Sequence, residues 1–287
     1  MTIDAHVHLW DLDRAEYPWL TPEIGSLYRS IDFAEIEPAL RARAIDGAIL
    51  VQASDEAADT AVMLEAASRH PDIVGVVAWT PLDSPDQVTR DLAEFAGNPL
   101  VVGIRNLVHE RAPGWVRRAE FVEGLAVLAQ HDLPLDVPTA AYPALADVVW
   151  MGNRLPELTL VIDHLGKPPI GGGDADRRAW RDLIAECAQN PRVSAKVSGL
   201  YSATGALDSW TVEQVRPFVE DALEIFGAER LMYGGDWPIS ELAGGYARTW
   251  DSIAGILAPL SEGERFSVLE GTARRVYLGE QRSGGNR

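Results

Sequence analysis

The sequence predicts an α/β protein whose eight parallel strands close into a (β/α)8 barrel, the TIM-barrel architecture. Short β-branched apolar runs recur eight times, separated by stretches with the i, i+3, i+4 apolar spacing of amphipathic helices. Because parallel strands need crossover connections, eight such units in 287 residues favour a closed barrel. A doubly wound open sheet is the alternative, but no Gly-x-Gly-x-x-Gly motif follows the first run.

The predicted elements follow the apolar pattern in chain order. The strands are expected at residues 3–9, 47–52, 73–80, 100–107, 133–137, 158–164, 193–199 and 230–236. Segments rich in Ala, Leu, Val and Glu are expected to form helices at residues 55–70, 84–97, 121–131, 174–189 and 211–226.

The first strand brings two histidines together. Side chains alternate along a strand, so His6 and His8 are expected on one face with Asp4, and the apolar residues Ile3, Ala5, Val7 and Leu9 on the other. Two adjacent imidazoles can ligate a cation, bind a developing oxyanion or relay protons. An edge strand with two exposed histidines would show the same pattern, so other residues must decide.

Composition limits the possible partners. The net charge of -18 and the pI near 4.7 argue against binding to nucleic acid or to anionic membranes, which requires clustered Lys and Arg. We expect one domain over residues 1–280 and a disordered polar tail over residues 281–287. A homo-oligomer is possible, and composition does not decide the oligomeric state.

The cysteine content and the first residues predict a cytoplasmic protein. The single cysteine, Cys187, lies in a helical pattern as a small core residue and cannot form an internal disulfide. A strand starting at residue 3 leaves no room for a signal peptide, and no apolar run is long enough to span a membrane.

Two long loops are candidates for the substrate walls. Residues 10–30 contain Trp10, Tyr17, Trp19 and Tyr28, and residues 237–248 follow the last strand. Long aromatic loops often form lids, although these rings could instead pack over the mouth of the barrel.

Polar residues cluster where the predicted strands end. The catalytic face of a barrel lies at the carboxyl ends of its strands, and buried charges there must pair or bind a ligand or metal. The residues at these positions are His6, His8, Arg105, Asp136, His164, Lys196 and Asp236. Asp136 and Lys196 could instead pair with each other. Gln52, Trp79 and Trp237 are expected to line the pocket.

Four motifs, in order, carry a resemblance to a known family. They are His6-Val7-His8, the run from Asp163 to Pro168, the run from Lys196 to Leu200, and Gly235-Asp236-Trp237-Pro238. From residue 3 to about residue 279 the chain resembles the amidohydrolase superfamily, within it the branch that contains sugar-acid lactonases and pyrone-dicarboxylate lactonase. The resemblance implies an amidohydrolase-like barrel and hydrolysis at a carbonyl, with His6, His8, His164 and Asp236 at active-site positions.

The departures from the family pattern limit the metal chemistry. The only lysines are Lys167 and Lys196, which excludes a centre bridged by a fourth-strand lysine, and Asp136 stands where a fifth-strand histidine is expected. The remaining His6, His8 and Asp236 could hold one divalent ion such as zinc. The resembled lactonases include zinc-dependent and metal-free members, so both possibilities stay open. No organic cofactor is predicted.

The leading hypothesis is hydrolysis of a small lactone, either a fucono-, rhamnono- or galactono-lactone or a muconate-type lactone. Asp236 would act as the general base, and either zinc or His6, His8 and His164 would stabilise the oxyanion. Arg105 could hold a substrate carboxylate or a pair of hydroxyls. The alternatives are a zinc-dependent decarboxylase of an aromatic or muconate-type acid, an amidase and, last, a non-catalytic binding protein.

Overall fold

A computed structural model of the chain describes residues 1–204, 207 and 209–279. Among these residues, eight parallel strands pair in chain order. They are Thr2–Val7 (β1), Ile45–Val51 (β2), Ile73–Ala78 (β3), Val101–Arg105 (β4), Leu135–Val137 (β5), Leu160–Ile162 (β6), Val193–Val197 (β7) and Leu231–Tyr233 (β8). The predicted barrel architecture is confirmed. The predicted tail at residues 281–287 lies outside the described residues.

Helices connect the strands. The described residues form Glu37–Arg41 (α1), Ala57–Arg69 (α2), Pro85–Phe95 (α3), Ala119–Gln130 (α4), Leu145–Arg154 (α5), Asp174–Ala188 (α6), Val212–Phe226 (α7), Tyr246–Leu257 (α8), Glu262–Phe266 (α9) and Thr272–Tyr277 (α10). Helices α2, α3, α4, α6 and α7 confirm the five predicted helices to within two residues at each end. In the described part of the chain, every helix is too short or too polar to cross a membrane.

Two backbone hydrogen bonds close the barrel between its first and last strands. The amide of Asp236 donates to the carbonyl of His6 at 2.8 Å, and the amide of His8 donates to the carbonyl of Trp237 at 2.7 Å. Both bonds lie just beyond the end of β8 and join it to the end of β1. Barrel closure therefore places the two histidines of the first strand beside Asp236.

Two apolar clusters pack on the two sides of the strands. The larger cluster lies between the strands and the surrounding helices. The smaller one fills the barrel and comprises Ile3, Ala5, Ile49, Val51, Val77, Val102, Val161, Met232, Ala273 and Tyr277. Because Ala273 and Tyr277 belong to α10, this helix closes the end of the barrel where the strands begin.

The predicted alternation of faces along β1 is wrong beyond Asp4. Ile3 and Ala5 pack inside the barrel, whereas Val7 and Leu9 pack in the outer cluster. Between Asp4 and Val7, β1 advances by three residues while its partner β2 advances by two. This extra residue is a β-bulge, which changes the face on which the following side chains lie.

The carboxylate of Asp4 bridges the bulge, the end of β8 and helix α8. It accepts hydrogen bonds from the amides of His6 at 3.0 Å and Gly235 at 2.8 Å, and from the hydroxyl of Tyr246 at 2.7 Å. The expectation that Asp4 shares a face with both histidines is therefore wrong, because its side chain is directed toward α8. Burial raises the pKa of Asp4 to about 6.

Candidate active site

A cavity of about 240 Å³ lies at the carboxyl ends of the strands. Its lining includes four residues that the strand-end argument predicts, His8, Arg105, His164 and Asp236, together with Trp19 from the first long loop. A cavity of this kind with convergent polar groups is the usual form of a small-molecule site.

Three atoms of metal-ligand type face one another beside the cavity. Nε2 of His6 lies 3.0 Å from Nε2 of His8, and Oδ1 of Asp236 lies 3.8 Å and 3.6 Å from these two nitrogens. Nδ1 of His8 lies 2.7 Å from the carbonyl oxygen of Val51. Because a carbonyl can only accept, Nδ1 of His8 carries a proton, which leaves Nε2 as the nitrogen that can bind a metal ion.

His6, His8 and Asp236 fit a single divalent ion. Their ligand atoms all lie within 4.8 Å of one another. Zinc binds imidazole nitrogen at roughly 2.0–2.1 Å, so neighbouring ligands of a tetrahedral zinc site are roughly 3.3 Å apart. The three separations between the ligand atoms of His6, His8 and Asp236, 3.0, 3.6 and 3.8 Å, lie on either side of that value. Two imidazoles and one carboxylate would also leave a coordination position open, as in catalytic zinc sites.

Two buried groups compete for the other nitrogen of His6. Its Nδ1 lies 3.1 Å from Nζ of Lys196 and 3.3 Å from Oδ1 of Asp163. When Nδ1 donates to Asp163, Nε2 is free to bind a metal ion; when Lys196 donates to Nδ1, Nε2 carries the proton and can donate to an oxygen. Burial, followed by the charge of Lys196, lowers the pKa of His6, so the ring is neutral near pH 7. The arrangement therefore suits both metal-assisted and metal-free chemistry.

Asp236 is an ionised carboxylate with fixed partners. Its Oδ2 accepts a hydrogen bond from the hydroxyl of Tyr201 at 2.8 Å, while Oδ1 faces the histidines. Burial opposes ionisation, but His164, His8 and His6 hold the pKa of Asp236 below its ordinary value. An ionised, oriented carboxylate at a cavity wall can accept a proton from water.

The backbone around His164 and Asp236 is strained. Both residues have a positive φ, 53° and 52°, which is uncommon outside glycine and often occurs at functional sites. Gly199, with φ of 55°, lies against them: a Cβ there would sit 2.5 Å from Nδ1 of His164 and 2.7 Å from Oδ2 of Asp236. Burial lowers the pKa of His164 to about 4, so this ring is also neutral near pH 7.

Arg105 is held in place by its neighbours. Its Nε lies 3.0 Å from Oδ2 of Asp163, and its guanidinium donates to the carbonyl of Gln52 at 2.9 Å. The side-chain amide of Gln52 donates in return to the carbonyl of Arg105 at 3.0 Å and to Asp55 at 3.1 Å. Gln52 therefore braces Arg105, which lines the cavity with one N–H given to Gln52 and its Nε beside Asp163.

Asp136 and Lys196 form a buried ion pair inside the barrel. Nζ of Lys196 donates to Oδ2 of Asp136, whose Oδ1 accepts from the hydroxyl of Tyr277 at 2.6 Å. Lys196 is fully buried and also lies 3.2 Å from Asp163. These two residues meet each other and His6, not the described lining of the cavity.

The two tryptophans expected in the pocket lie beside it. The ring of Trp237 packs in the outer cluster, and Trp79 is half-buried with its backbone amide donating to Thr60. Neither ring is among the described residues that line the cavity. A substrate-binding role for Gln52, Trp79, Asp136, Lys196 and Trp237 stays a prediction.

The first long loop forms one wall of the cavity. The indole nitrogen of Trp19 donates to the carbonyl of Ala53 at 2.7 Å, and the hydroxyl of Tyr17 donates to Asp59 at 2.8 Å. Asp59 also accepts from the amide of Ala53 at 2.9 Å. These tethers attach the loop to the segment that follows β2 and to the first turn of α2, so Trp19 is in place without a further movement of the loop.

Several residues of the site escaped the sequence argument. Asp163 belongs to one of the family motifs but has no predicted role, although it contacts His6, Arg105 and Lys196. Its position directly before His164, at the end of a predicted strand, was the available signal. Tyr201 follows the seventh predicted strand, and the residues His109, Glu110 and Lys167 line the cavity from the loops after β4 and β6. Loop residues carry no periodicity that would have identified them.

Comparisons with known proteins agree with this arrangement. A family model described as amidohydrolase matches residues 3–278. An L-fucono-1,5-lactonase from Burkholderia ambifaria is 34% identical over 245 residues, which cover 84% of this chain and 82% of the relative. An L-fucono-1,5-lactonase from Burkholderia multivorans is 33% identical over 290 residues, covering 96% of each chain.

A solved structure adds a metal to the comparison. The crystal structure of an amidohydrolase from Burkholderia multivorans with bound zinc superimposes with a TM-score of 0.90 at 32% sequence identity. The match covers 97% of this chain and 99% of the other. The fold described above thus occurs together with bound zinc in a similar protein.

Proposed function

This chain belongs to the amidohydrolase family, and from that premise we propose that it is a lactonase that hydrolyses a small sugar-acid lactone. The observation that carries the proposal is the convergence of His8, His164 and Asp236 at one cavity wall, with the buried His6 packed against them. The relatives named as L-fucono-1,5-lactonases, and a more distant L-rhamnono-gamma-lactonase from Scheffersomyces stipitis, support the substrate class.

In the proposed reaction, Asp236 acts first as a general base and then as a general acid. It takes a proton from water, whose oxygen attacks the lactone carbonyl. When the ring C–O bond of the tetrahedral intermediate breaks, Asp236 returns the proton to the departing oxygen, and the product is the open hydroxy acid. The bond from Tyr201 supports this role because it fixes Oδ2 and leaves Oδ1, which faces His6 and His8, free to accept the proton.

Histidines surround the carbonyl oxygen in this mechanism. His6 and His164, whose rings are neutral near pH 7, each offer a nitrogen that can donate to the developing oxyanion, according to tautomer. Nδ1 of His8 donates to the carbonyl of Val51, so His8 would take part through Nε2, as a metal ligand. If a divalent ion is held, His6, His8 and Asp236 are its proposed ligands, and the ion would act as a Lewis acid at the same oxygen.

The remaining predicted residues receive supporting roles. Arg105 lines the cavity and is proposed to contact substrate hydroxyls. Gln52 would act indirectly, by holding Arg105 in place. Lys196, paired with Asp136, would likewise act indirectly, through its contact with His6. The match of the family model over residues 3–278 supports one domain over residues 1–280.

The decisive experiment is a panel of sugar-acid 1,4- and 1,5-lactones, assayed by acid release with and without a chelator. Hydrolysis of at least one of these lactones, without carbon dioxide release, is the expected result. Carbon dioxide release from an aromatic or muconate-type acid, with no lactone opened, would instead support the decarboxylase that the sequence analysis left open.

A further inference from the structure

In the part of the chain that the structure describes, three polar side chains of the cavity wall have no hydrogen-bond or ion-pair partner. Nδ1 of His109 is buried without a hydrogen bond, and within the described residues no hydrogen bond or ion pair engages the carboxylate of Glu110 or the ammonium of Lys167. In contrast, His8 and Asp236 each have a hydrogen-bond partner in the protein. His109 and Lys167 are half-buried and Glu110 is exposed, so all three line the cavity within reach of a ligand. The buried nitrogen of His109 is costly without a partner, which points to a ligand at this wall.

The turn that carries His109 and Glu110 is held rigidly. It is a 3-10 turn, Val108–Glu110, directly after β4. On either side of it, the amide of Leu107 donates to Oδ1 of Asp55 at 2.9 Å, and the guanidinium of Arg111 donates to Oδ2 of the same carboxylate at 2.8 Å. A preorganised turn can present its side chains to a ligand at little entropic cost.

The charges of these three groups match a particular kind of substrate. Burial, followed by the positive charges of Arg105 and Lys167, lowers the pKa of His109 to about 4, so its ring is neutral near pH 7 and offers one donor and one acceptor. Glu110 is an acceptor and Lys167 a donor. Hydroxyl groups, which both donate and accept, can satisfy all three.

The cavity offers few positive charges that could bind a carboxylate group of the substrate. Arg105 is already paired with Asp163 and with the carbonyl of Gln52, so Lys167 is the one cavity-lining cation in the described residues without an ion pair. Glu110 would repel a substrate carboxylate placed nearby. The charges that line the cavity therefore disfavour the binding of dicarboxylate lactones.

We propose that His109, Glu110 and Lys167 form a hydroxyl-binding subsite that selects neutral polyhydroxylated lactones over lactones bearing an additional carboxylate. The proposal rests on the lactonase function proposed above and extends it to the substrate class. His109 is the principal specificity residue, because its unpartnered nitrogen is the one that is buried.

The test compares matched lactones that differ in their hydroxyl groups. L-galactono-1,4-lactone carries several hydroxyls, whereas γ-butyrolactone has the same ring and none. His109→Phe is expected to raise KM for the galactonolactone about tenfold, the cost of one lost hydrogen bond, and to leave γ-butyrolactone hydrolysis unchanged. His131→Phe, at an exposed position, is the matched control and should change neither substrate.

A charge change at Glu110 tests the selectivity against dicarboxylates. Glu110→Arg is expected to raise kcat/KM for 2-pyrone-4,6-dicarboxylate relative to the galactonolactone by about tenfold. Glu123→Arg, on the exposed face of α4, is the control. A wild-type preference for the dicarboxylate, or an equal effect of His109→Phe on both hydroxylated and unsubstituted lactones, would overturn the subsite.

Binding measurements separate the subsite from the proposed reaction. L-galactono-1,4-lactone is titrated calorimetrically into Asp236→Asn and into Asp236→Asn combined with His109→Phe. Binding about tenfold weaker in the double variant supports the subsite even if the wild type opens no lactone, which would defeat only the proposed function. Equal binding in the two variants defeats the subsite even if the wild type is an active lactonase.

Discussion

The hydroxyl of Tyr201 donates a hydrogen bond to Oδ2 of Asp236 at 2.8 Å, and it also lies 3.3 Å from the backbone carbonyl of the same residue. Tyr201 follows β7 and Asp236 follows β8, so the contact ties together two neighbouring loops of the catalytic face. It fixes the rotamer of the carboxylate to which we assign the proton transfers.

Removing this hydroxyl should slow turnover more than it weakens binding. Tyr201→Phe is expected to lower kcat about tenfold while KM changes less than about twofold, because the carboxylate loses an orienting bond of roughly 1.5 kcal/mol. Steady-state kinetics on the best lactone of the panel measures the split. The exposed Tyr28 provides a control, since Tyr28→Phe should leave both constants unchanged. A rise in KM alone would argue against a positioning role.

Replacing the proposed base should nearly abolish turnover. Asp236→Asn is expected to lower kcat by about a hundredfold or more, since an amide cannot accept the proton. The exposed Asp182→Asn should behave as the wild type. Near-normal turnover in Asp236→Asn, with the thermal transition unchanged, would refute the role assigned to Asp236.

Two glycine substitutions should differ in their effect: one should lower turnover, and the other should raise stability. A Cβ at Gly199 would collide with His164 and Asp236, so Gly199→Ala is expected to lower kcat at least about tenfold. Gly255 lies on the exposed side of α8 with open space around its Cβ position, and Gly255→Ala should stabilise the protein by about 0.5–1 kcal/mol. Kinetics and urea unfolding of both variants check the pair. A fully active Gly199→Ala would contradict the close packing of the site.

Zinc affinity should depend on the three proposed ligands. In equilibrium dialysis followed by metal analysis, the wild type is expected to bind one zinc ion per chain, and His8→Ala to bind it at least about tenfold more weakly. His70, which follows the carboxyl end of α2 and is paired with Glu37, supplies the control, because His70→Ala should leave zinc binding unchanged. Equal affinity in all three proteins would place the ion elsewhere.

The loop anchor at Asp59 should make stability depend on pH. Burial raises the pKa of Asp59 to about 6, well above that of an unfolded aspartate. A raised folded-state pKa gives stability that is present below about pH 4 and is lost as the pH rises to about 6, on the order of 3 kcal/mol for this group. Asp59→Asn lacks this titration, so its free energy of unfolding relative to the wild type should increase between pH 4 and pH 6. Urea unfolding at several pH values tests this, and a constant difference would contradict it.

The sequence predicted the architecture because the signals were local and repeated. The β-branched runs marked all eight strands, and the polar residues that ended them marked the catalytic face. The predicted strands were too long at their carboxyl ends, as at β6 and β8, because residues such as His164 and Asp236 leave the sheet to adopt positive φ. Backbone strain of this kind leaves little trace in apolar periodicity.

Other features depend on contacts that are distant in sequence. The bulge in β1 reverses the expected faces, and it is stabilised by Asp4 through Gly235 and Tyr246, more than two hundred residues away. The helices α1, α9 and α10 are short, five or six residues each, so their periodicity is too brief to detect. The cavity wall at His109 and Glu110 likewise depends on a loop conformation fixed by Asp55.

The hydrogen bonds between His6 and Asp236 and between His8 and Trp237 have a consequence for synthesis of the chain. The first strand leaves the ribosome some 230 residues before the segment after β8 with which it pairs. His6 and His8 therefore cannot contact the carboxylate of Asp236 until nearly the whole polypeptide has emerged. A nascent fragment that ends before β8 therefore has no assembled catalytic centre, and activity arises only at the last stage of folding.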